Sequence, residues 1–338
     1  MPTQIQLRRG ASSEWTSANP VLAEGEMGVE LDTMFYKIGD GVTHWTNLSY
    51  ATVRNVTSLT MADMLSQSTP STPADGHLEF YAKLTGGRML PQLKGPDGVE
   101  TWVQTSIAQN FITAIFPSSS TTVSILGMGN SSAGTISHPG VSEIYGYAAN
   151  FVTAGTASAP AGTGGTNAHL FRGSVPGGSN GFFFFCRLGF PDSTYDQAGA
   201  STGSRFFVGL TSGTMLASVS VDTLAGHNAG FQRCHTNGAR TDTNWQFTTT
   251  NGVSQSLVDT GMPFVAQHVY DFYIFCPPLG GVISWRVDDK TAGTSNEGST
   301  STYLPDPATA MRGGFHILSV DAVARNVRMN RVYTESKR

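Results

Sequence analysis

From about Asn110 onward the sequence is a succession of short apolar runs, each closed by Gly, Ser or Thr, with little helical spacing. About nine such runs are readable over some 225 residues: "TTVSIL", "EIYGYAANFVT", "GFFFFCRLGF", "SRFFVGLT", "NWQFTTT", "QHVYDFYIFC", "GVISWRV", "GGFHILSV" and "NVRMNRVY". In "GVISWRV", Ile283, Trp285 and Val287 share one face and Ser284 and Arg286 the other, the period of two of a half-buried strand. In "HVYDFYIF", Tyr270, Phe272 and Ile274 oppose Val269, Asp271, Tyr273 and Phe275, so both faces are expected to be covered. Many strands with little helical periodicity predict a β-sandwich. The stretch "FVTAGTASAPAGTGGTNAHLF" reads as a loop, and one that long is functional, mobile or covered by a partner.

Composition agrees with an all-β reading. Charged residues are 13% of the chain, about half the usual share of roughly 25%, while Gly alone contributes 39 residues. Twenty Lys and Arg against 24 Asp and Glu give a net charge of −4, without the basic footprint of a nucleic-acid binder. The apolar runs fall far short of the ~20 residues of a spanning helix, and "MPTQIQLRRG" lacks the apolar core of a signal peptide. A soluble protein without membrane insertion is expected. Cys186, Cys234 and Cys276 are an odd set that cannot close a disulfide framework. They read as buried free thiols of a chain folded in a reducing cytoplasm.

The first hundred residues have a different texture. In "EMGVEL", Met27, Val29 and Leu31 alternate with Glu26, Gly28 and Glu30, and "FYKIGDG" supplies the returning strand of a hairpin. Gly39-Asp40-Gly41 lacks the ligand series of a calcium loop and is read as a turn. "TSLTMADMLSQS" is a candidate short helix, and "STPSTPADG" a Pro/Ser/Thr linker. A second hairpin follows, "HLEFYAK" and "MLPQLK" joined by "LTGGR". The expected divisions are 1–50, an amino-terminal module; 51–75, a linker; 76–109, a hairpin shaft; and 110–338, the sandwich head. A lone hairpin is marginal in water, and segments this small need disulfides, metals or association. The cysteines lie elsewhere and no metal-ligand cluster is present, which leaves association of copies.

"IQLRRGASSEWTSANPVLAEGEMGVELDTMFYKIGDGVTHWTNLSY" resembles the amino-terminal module of phage tail fibres and receptor-binding proteins of the major tropism determinant family. Its anchors are "LRRG", Trp15, "NPVLAEGEMGVE", "KIGDGVT", Trp45 and Tyr50. The family often has Gly in the hairpin turn where this chain has Met34, which sets a tight left-handed turn against a wider loop. "DGHLEFYAKLTGGRMLPQLKGPDGVETWVQ" is similar to a short fibre shaft module, and the region from Asn110 to phage fibre heads. The resemblance implies an intertwined, β-prism-like homotrimer, attached by its amino terminus to other tail or baseplate proteins and carrying a lectin-like, jelly-roll head. Leu7, Trp15, Met27, Val29, Leu31, Ile38, Trp45 and Tyr50 are its expected attachment and trimer-core positions. It would belong to the virion tail, assembled in the bacterial cytoplasm.

The head is expected to bind rather than catalyse. Sugar recognition needs aromatic faces and polar hydroxyl partners, and a pilus would need a central aromatic or Arg anchor. Tyr195, His227, Asn228, Arg240, Asn244, Trp245 and Tyr303 are the candidates for a bacterial polysaccharide or pilus receptor. No catalytic residue, metal or cofactor is assigned, and "HNAGFQRCH" is only a weak metal grouping. Paired carboxylates among Asp192, Asp196, Asp222, Asp242, Asp259, Asp271 and Glu297 would instead make a surface-glycan hydrolase. A purely structural collar or baseplate component is the remaining alternative.

Overall fold

The hairpin expected near the amino terminus forms from Met27–Glu30 and Tyr36–Ile38, with Met27 opposite Ile38 and Val29 opposite Tyr36. The computed structural model describes residues 7–51, 64–96, 98–102, 110–115, 130–137, 141–142, 146–166, 168–173, 180–195, 203–215, 225–236 and 240–337. The chain divides into two units, Met1–Asp63 and Met64–Arg338. Thr57–Asp63 of the expected helix and the "TTVSIL" run lie outside the described residues, as do Asp196 and Asp222.

In the first unit, Arg8–Gly10 adds to the hairpin as a parallel third strand. A short helix over Ser12–Ala18, not foreseen from the sequence, starts where the Glu14 carboxylate accepts the Ala11 N–H at 2.8 Å. It carries Trp15 onto Trp45, the two rings stacked at 4.1 Å, with Leu22 and Leu48 completing the core. Gly28 is needed beneath them: a Cβ there would lie 2.7 Å from the Trp45 ring. The Asp40 carboxylate accepts from the Val42 and Thr43 N–H groups and the Thr43 hydroxyl, and these bonds pull its pKa down to about 2. Gly39-Asp40-Gly41 is therefore an Asx-type turn. Met34 keeps the left-handed turn with φ 61°, closed by its N–H on the Glu30 carbonyl at 3.0 Å.

The second unit begins with a small sheet of Glu79–Thr85, Arg88–Lys94 and Glu100–Trp102. Its polarity is inverted. Tyr81, Gln92 and Lys94 are buried, while Phe80, Leu84 and Met89 are exposed on the other face. The Pro/Ser/Thr segment covers the polar side: Lys83 donates to the Thr69 hydroxyl at 2.6 Å and Lys94 to the Pro70 carbonyl at 2.7 Å. The hairpin tip, Gly86-Gly87 with φ 55° and 81°, lies against the head. A Cβ on Gly87 would come within 2.3 Å of the Ser284 Cβ. Arg88 then forks onto Glu335 at 2.5 and 2.8 Å and stands over the Phe183 ring, and Leu90 joins Phe183, Phe185 and Tyr273.

The head is a sandwich of two eight-stranded sheets. From one edge the first runs Thr294–Thr300, Ile283–Asp289, Val269–Cys276, Asn180–Gly189, Asn326–Lys337, Ala149–Val152 and Thr135–Ser137, with Asn110–Ile115 also paired to Asn326–Lys337. The second runs Gln255–Pro263, Asn244–Asn251, His227–Thr236, Ser204–Thr211, Arg312–Ser319, Ala159–Gly165 and Asn130–Ala133, with Arg240–Thr241 added to His227–Thr236. Between them lies an aromatic core built on Phe184, Phe190, Phe206, Phe231, Trp245, Phe247, Phe272 and Trp285. The three cysteines are free and buried, and burial pushes the Cys276 thiol up to about 12. Ala159–Gly165 corrects the long-loop expectation: this run of small residues is a paired strand.

Candidate functional site

The pairs Thr211–Arg312, Asn228–Thr211 and His227–Asn251 bring several loops to one end of the sandwich. Arg172 ties them from below, donating through Nε to the Pro305 carbonyl at 2.9 Å and through Nη1 to the Gly280 carbonyl. Its own carbonyl accepts from the Leu279 N–H, and Gly173 N–H bonds the Pro307 carbonyl. Across the two sheets, the Thr249 hydroxyl donates to the Thr302 carbonyl at 2.7 Å. The 301–306 loop is thus fixed through its backbone before any ligand arrives.

Three groups stand on this frame. His227, half-buried, accepts the Asp306 N–H on Nδ1 at 3.0 Å. In neutral imidazole that leaves the proton on Nε2, as a donor beside Gly252. Tyr303 is 46% exposed and sits at φ 46°, a strained conformation for a residue with a Cβ. Asp306 is exposed, with one carboxylate oxygen accepting the Ala308 N–H at 2.8 Å. This end therefore carries an aromatic side chain, an N–H donor and a carboxylate acceptor.

The seven residues expected to contact a receptor do not come together. His227 and Tyr303 share this end, and Asn228 lies beneath them fully buried, donating to the Thr250 hydroxyl at 2.8 Å. Arg240 and Asn244 occupy the opposite end, one bound to Asp242 at 2.7 Å and the other to Asp259 at 3.0 Å. Tyr195 and Trp245 are core residues rather than surface contacts: both are fully buried, and the Tyr195 O–H donates to the Asn326 carbonyl. Of the "HNAGFQRCH" grouping, His227 and Cys234 lie seven residues apart along one strand, about 23 Å, so no site forms between them. Arg172 and Asp306 were missed by sequence reasoning; the turn-forming "LPDPAT" was the available signal.

The expected attachment positions of the first unit also divide. Trp15 and Trp45 fill its core, Met27 and Val29 are half-buried, and Leu7, Leu31, Ile38 and Tyr50 are exposed. Lys37 and Glu30 point inward instead; Glu30 accepts the Tyr50 O–H at 2.8 Å and Lys37 donates to the Trp45 carbonyl at 2.7 Å. Trp15, the Asp40 turn and the outward apolar strand face all sit inside one matched segment, and Trp45 lies two residues past its end. Residues 5–43 match the major tropism determinant N-terminal domain. The chain is 40% identical over 52 residues to a hyaluronoglucosaminidase of Streptococcus pyogenes phage H4489A, covering 15% of this chain and 14% of that protein. It is 31% identical over 113 residues to a hyaluronoglucosaminidase of Streptococcus pyogenes phage H10403, covering 28% of this chain and 34% of that protein. It thus spans 14% and 34% of the length of these relatives. Among solved structures, peanut lectin superposes with a TM-score of 0.45 at 14% identity, over 68% of this chain and 98% of that one.

Proposed function

We propose that this chain is a phage tail fibre or receptor-binding protein: a homotrimer fixed to the tail through its amino-terminal module, which recognises the bacterial surface with its sandwich head. The observation that carries the reading is the match to the major tropism determinant N-terminal domain over residues 5–43, ahead of a β-sandwich head. Its virion location and assembly in the host cytoplasm belong to the same reading. Self-association is supported by two apolar faces without cover among the described residues. Leu31, Tyr36 and Ile38 form one, and Phe80, Leu84 and Met89 the other. A core of four residues in the first unit is too small to stand alone, and association supplies the missing burial. Purified protein is expected to block phage adsorption to host cells, and Tyr303→Ala to weaken that block. A protein that neither binds cells nor competes with phage would point to a structural collar or baseplate part. Mass measurement in solution should return three copies; a stable monomer with a folded amino terminus refutes the trimer.

One arrangement favours a glycan hydrolase, the activity named for the two streptococcal phage relatives. Asp271 and Asp288 stand directly opposite each other, and burial raises the Asp288 pKa. Each is already held by an arginine, Asp271 by Arg187 at 2.6 Å and Asp288 by Arg286 at 2.7 Å. Asp192, Asp242 and Asp259 are likewise bound within the fold. Binding is therefore the reading supported better. Incubation with hyaluronan or host polysaccharide should release no oligosaccharide; release that Asp288→Asn abolishes would establish the enzyme instead.

A further inference from the structure

The outward face of the first sheet holds an arginine that makes no direct ion pair among the described residues. Register places Arg331 of the Asn326–Lys337 strand directly across from Arg187 of the Asn180–Gly189 strand. Like charges facing each other across a sheet destabilise the pairing unless something of opposite sign compensates. Asp271, opposite Arg187 on its other side, supplies only half of that compensation. It gives both oxygens to Arg187, at 2.6 and 2.7 Å. Arg331 is left exposed, its guanidinium 5.6 Å from the centre of the Phe185 ring and without a carboxylate hydrogen-bonded to it among the described residues. Burial and the facing Arg187 depress its pKa, and the nearby Asp271 offsets them in part.

The surroundings narrow what an incoming anion can be. Tyr333, half-buried, is two residues along the same strand face, with its O–H on Glu335 at 3.0 Å. Past Arg187 the face carries carboxylates, Asp271, Asp288 and Glu297, already paired with Arg187 and Arg286. A polyanion laid across the sheet would meet those carboxylates. A ligand with one anion, a ring and several hydroxyls meets an arginine fork, an aromatic side chain and then hydrogen-bond acceptors.

We propose that Arg331, with Tyr333 and the Arg187–Asp271 pair, forms a binding site for a saccharide bearing a single carboxylate or phosphate per repeating unit. The anion sits on Arg331 and the sugar ring against Tyr333. This site is on the first sheet, separate from the His227–Tyr303 loop cluster, and stands whether or not that cluster meets the receptor.

The test is calorimetric titration of the full chain with three probes: a glucuronate-containing oligosaccharide, its carboxyl-reduced counterpart and a glycerol-phosphate oligomer. Binding of one or both anionic probes is expected, weakening with salt, with no binding of the reduced sugar. The tighter of the two identifies the source of the anion. Arg331→Gln should weaken binding by about tenfold or more without lowering the melting temperature, since it relieves the repulsion from Arg187, and Arg331→Lys should fall between. Equal binding of the reduced sugar, no binding of either anionic probe, or unchanged affinity in Arg331→Gln overturns the proposal.

Discussion

His316 lies on the Arg312–Ser319 strand with 3% of its surface exposed and neither ring nitrogen hydrogen-bonded among the described residues. Burial drives its pKa from the ordinary 6.5 down to about 4. The folded protein therefore holds this imidazole neutral where the unfolded chain protonates it. Stability is full above pH 6.5 and falls as the pH drops from there towards 4, by about 3 kcal/mol if the whole shift is realised. Urea unfolding at pH 7 and pH 4.5 should show the loss, and His316→Phe should flatten it. The Asp321 carboxylate, whose pKa is held down by hydrogen bonds from Arg325, acts in a lower window. Its contribution is lost only as the pH falls through and below the normal carboxylate range. Met34 is a second residue-scale case. Left-handed geometry costs a residue with a Cβ about 1–2 kcal/mol, and Gly in the unfolded chain returns about 0.5–1. Met34→Gly should stabilise the first unit by about 0.5–1 kcal/mol in thermal melts.

At the scale of elements, the Gly86-Gly87 hairpin is fastened to the head by one ion pair with little exposure, 18% at Arg88 and 7% at Glu335. Removing a single member strands a charge, so Arg88→Ala should cost about 3 kcal/mol, and Glu335→Gln on that background should recover part of it. A double-mutant cycle by denaturation measures the coupling. Elements were legible in proportion to how far side chains declared them. Phe182–Phe185 and Ile283–Val287 announce strands through apolar mass and alternation. Ala159–Gly165 does not, because its strand identity comes from neighbours: a Cβ at Gly162 would lie 2.3 Å from the Phe315 carbonyl oxygen. The helix at Ser12–Ala18 was equally silent, held by Trp15 stacking on a residue 30 positions away. The site was half legible for the same reason. Tyr303 follows from a polar turn context, but nothing in "TNWQF" separates a loop tryptophan from the core residue Trp245 proved to be.

For the whole molecule, the outward apolar faces on both units are where association would act. If copies cover Leu31, Tyr36 and Ile38, the melting temperature should rise with protein concentration, and Ile38→Asp should remove that dependence. A melting temperature independent of concentration over two decades would contradict the assembly. A different consequence follows from the bond between Arg88 and Glu335, which joins residues 247 positions apart. At the usual 5–20 residues per second, about 12 to 50 s of translation separate the two ends of that contact. Asn326–Lys337 also lies inside the first sheet, between Asn180–Gly189 and Ala149–Val152, so the sheet cannot close sooner. For that interval the hairpin is synthesised but undocked. That interval is when neighbouring nascent chains on one messenger would meet through their apolar faces, ahead of the docking of the hairpin on the head.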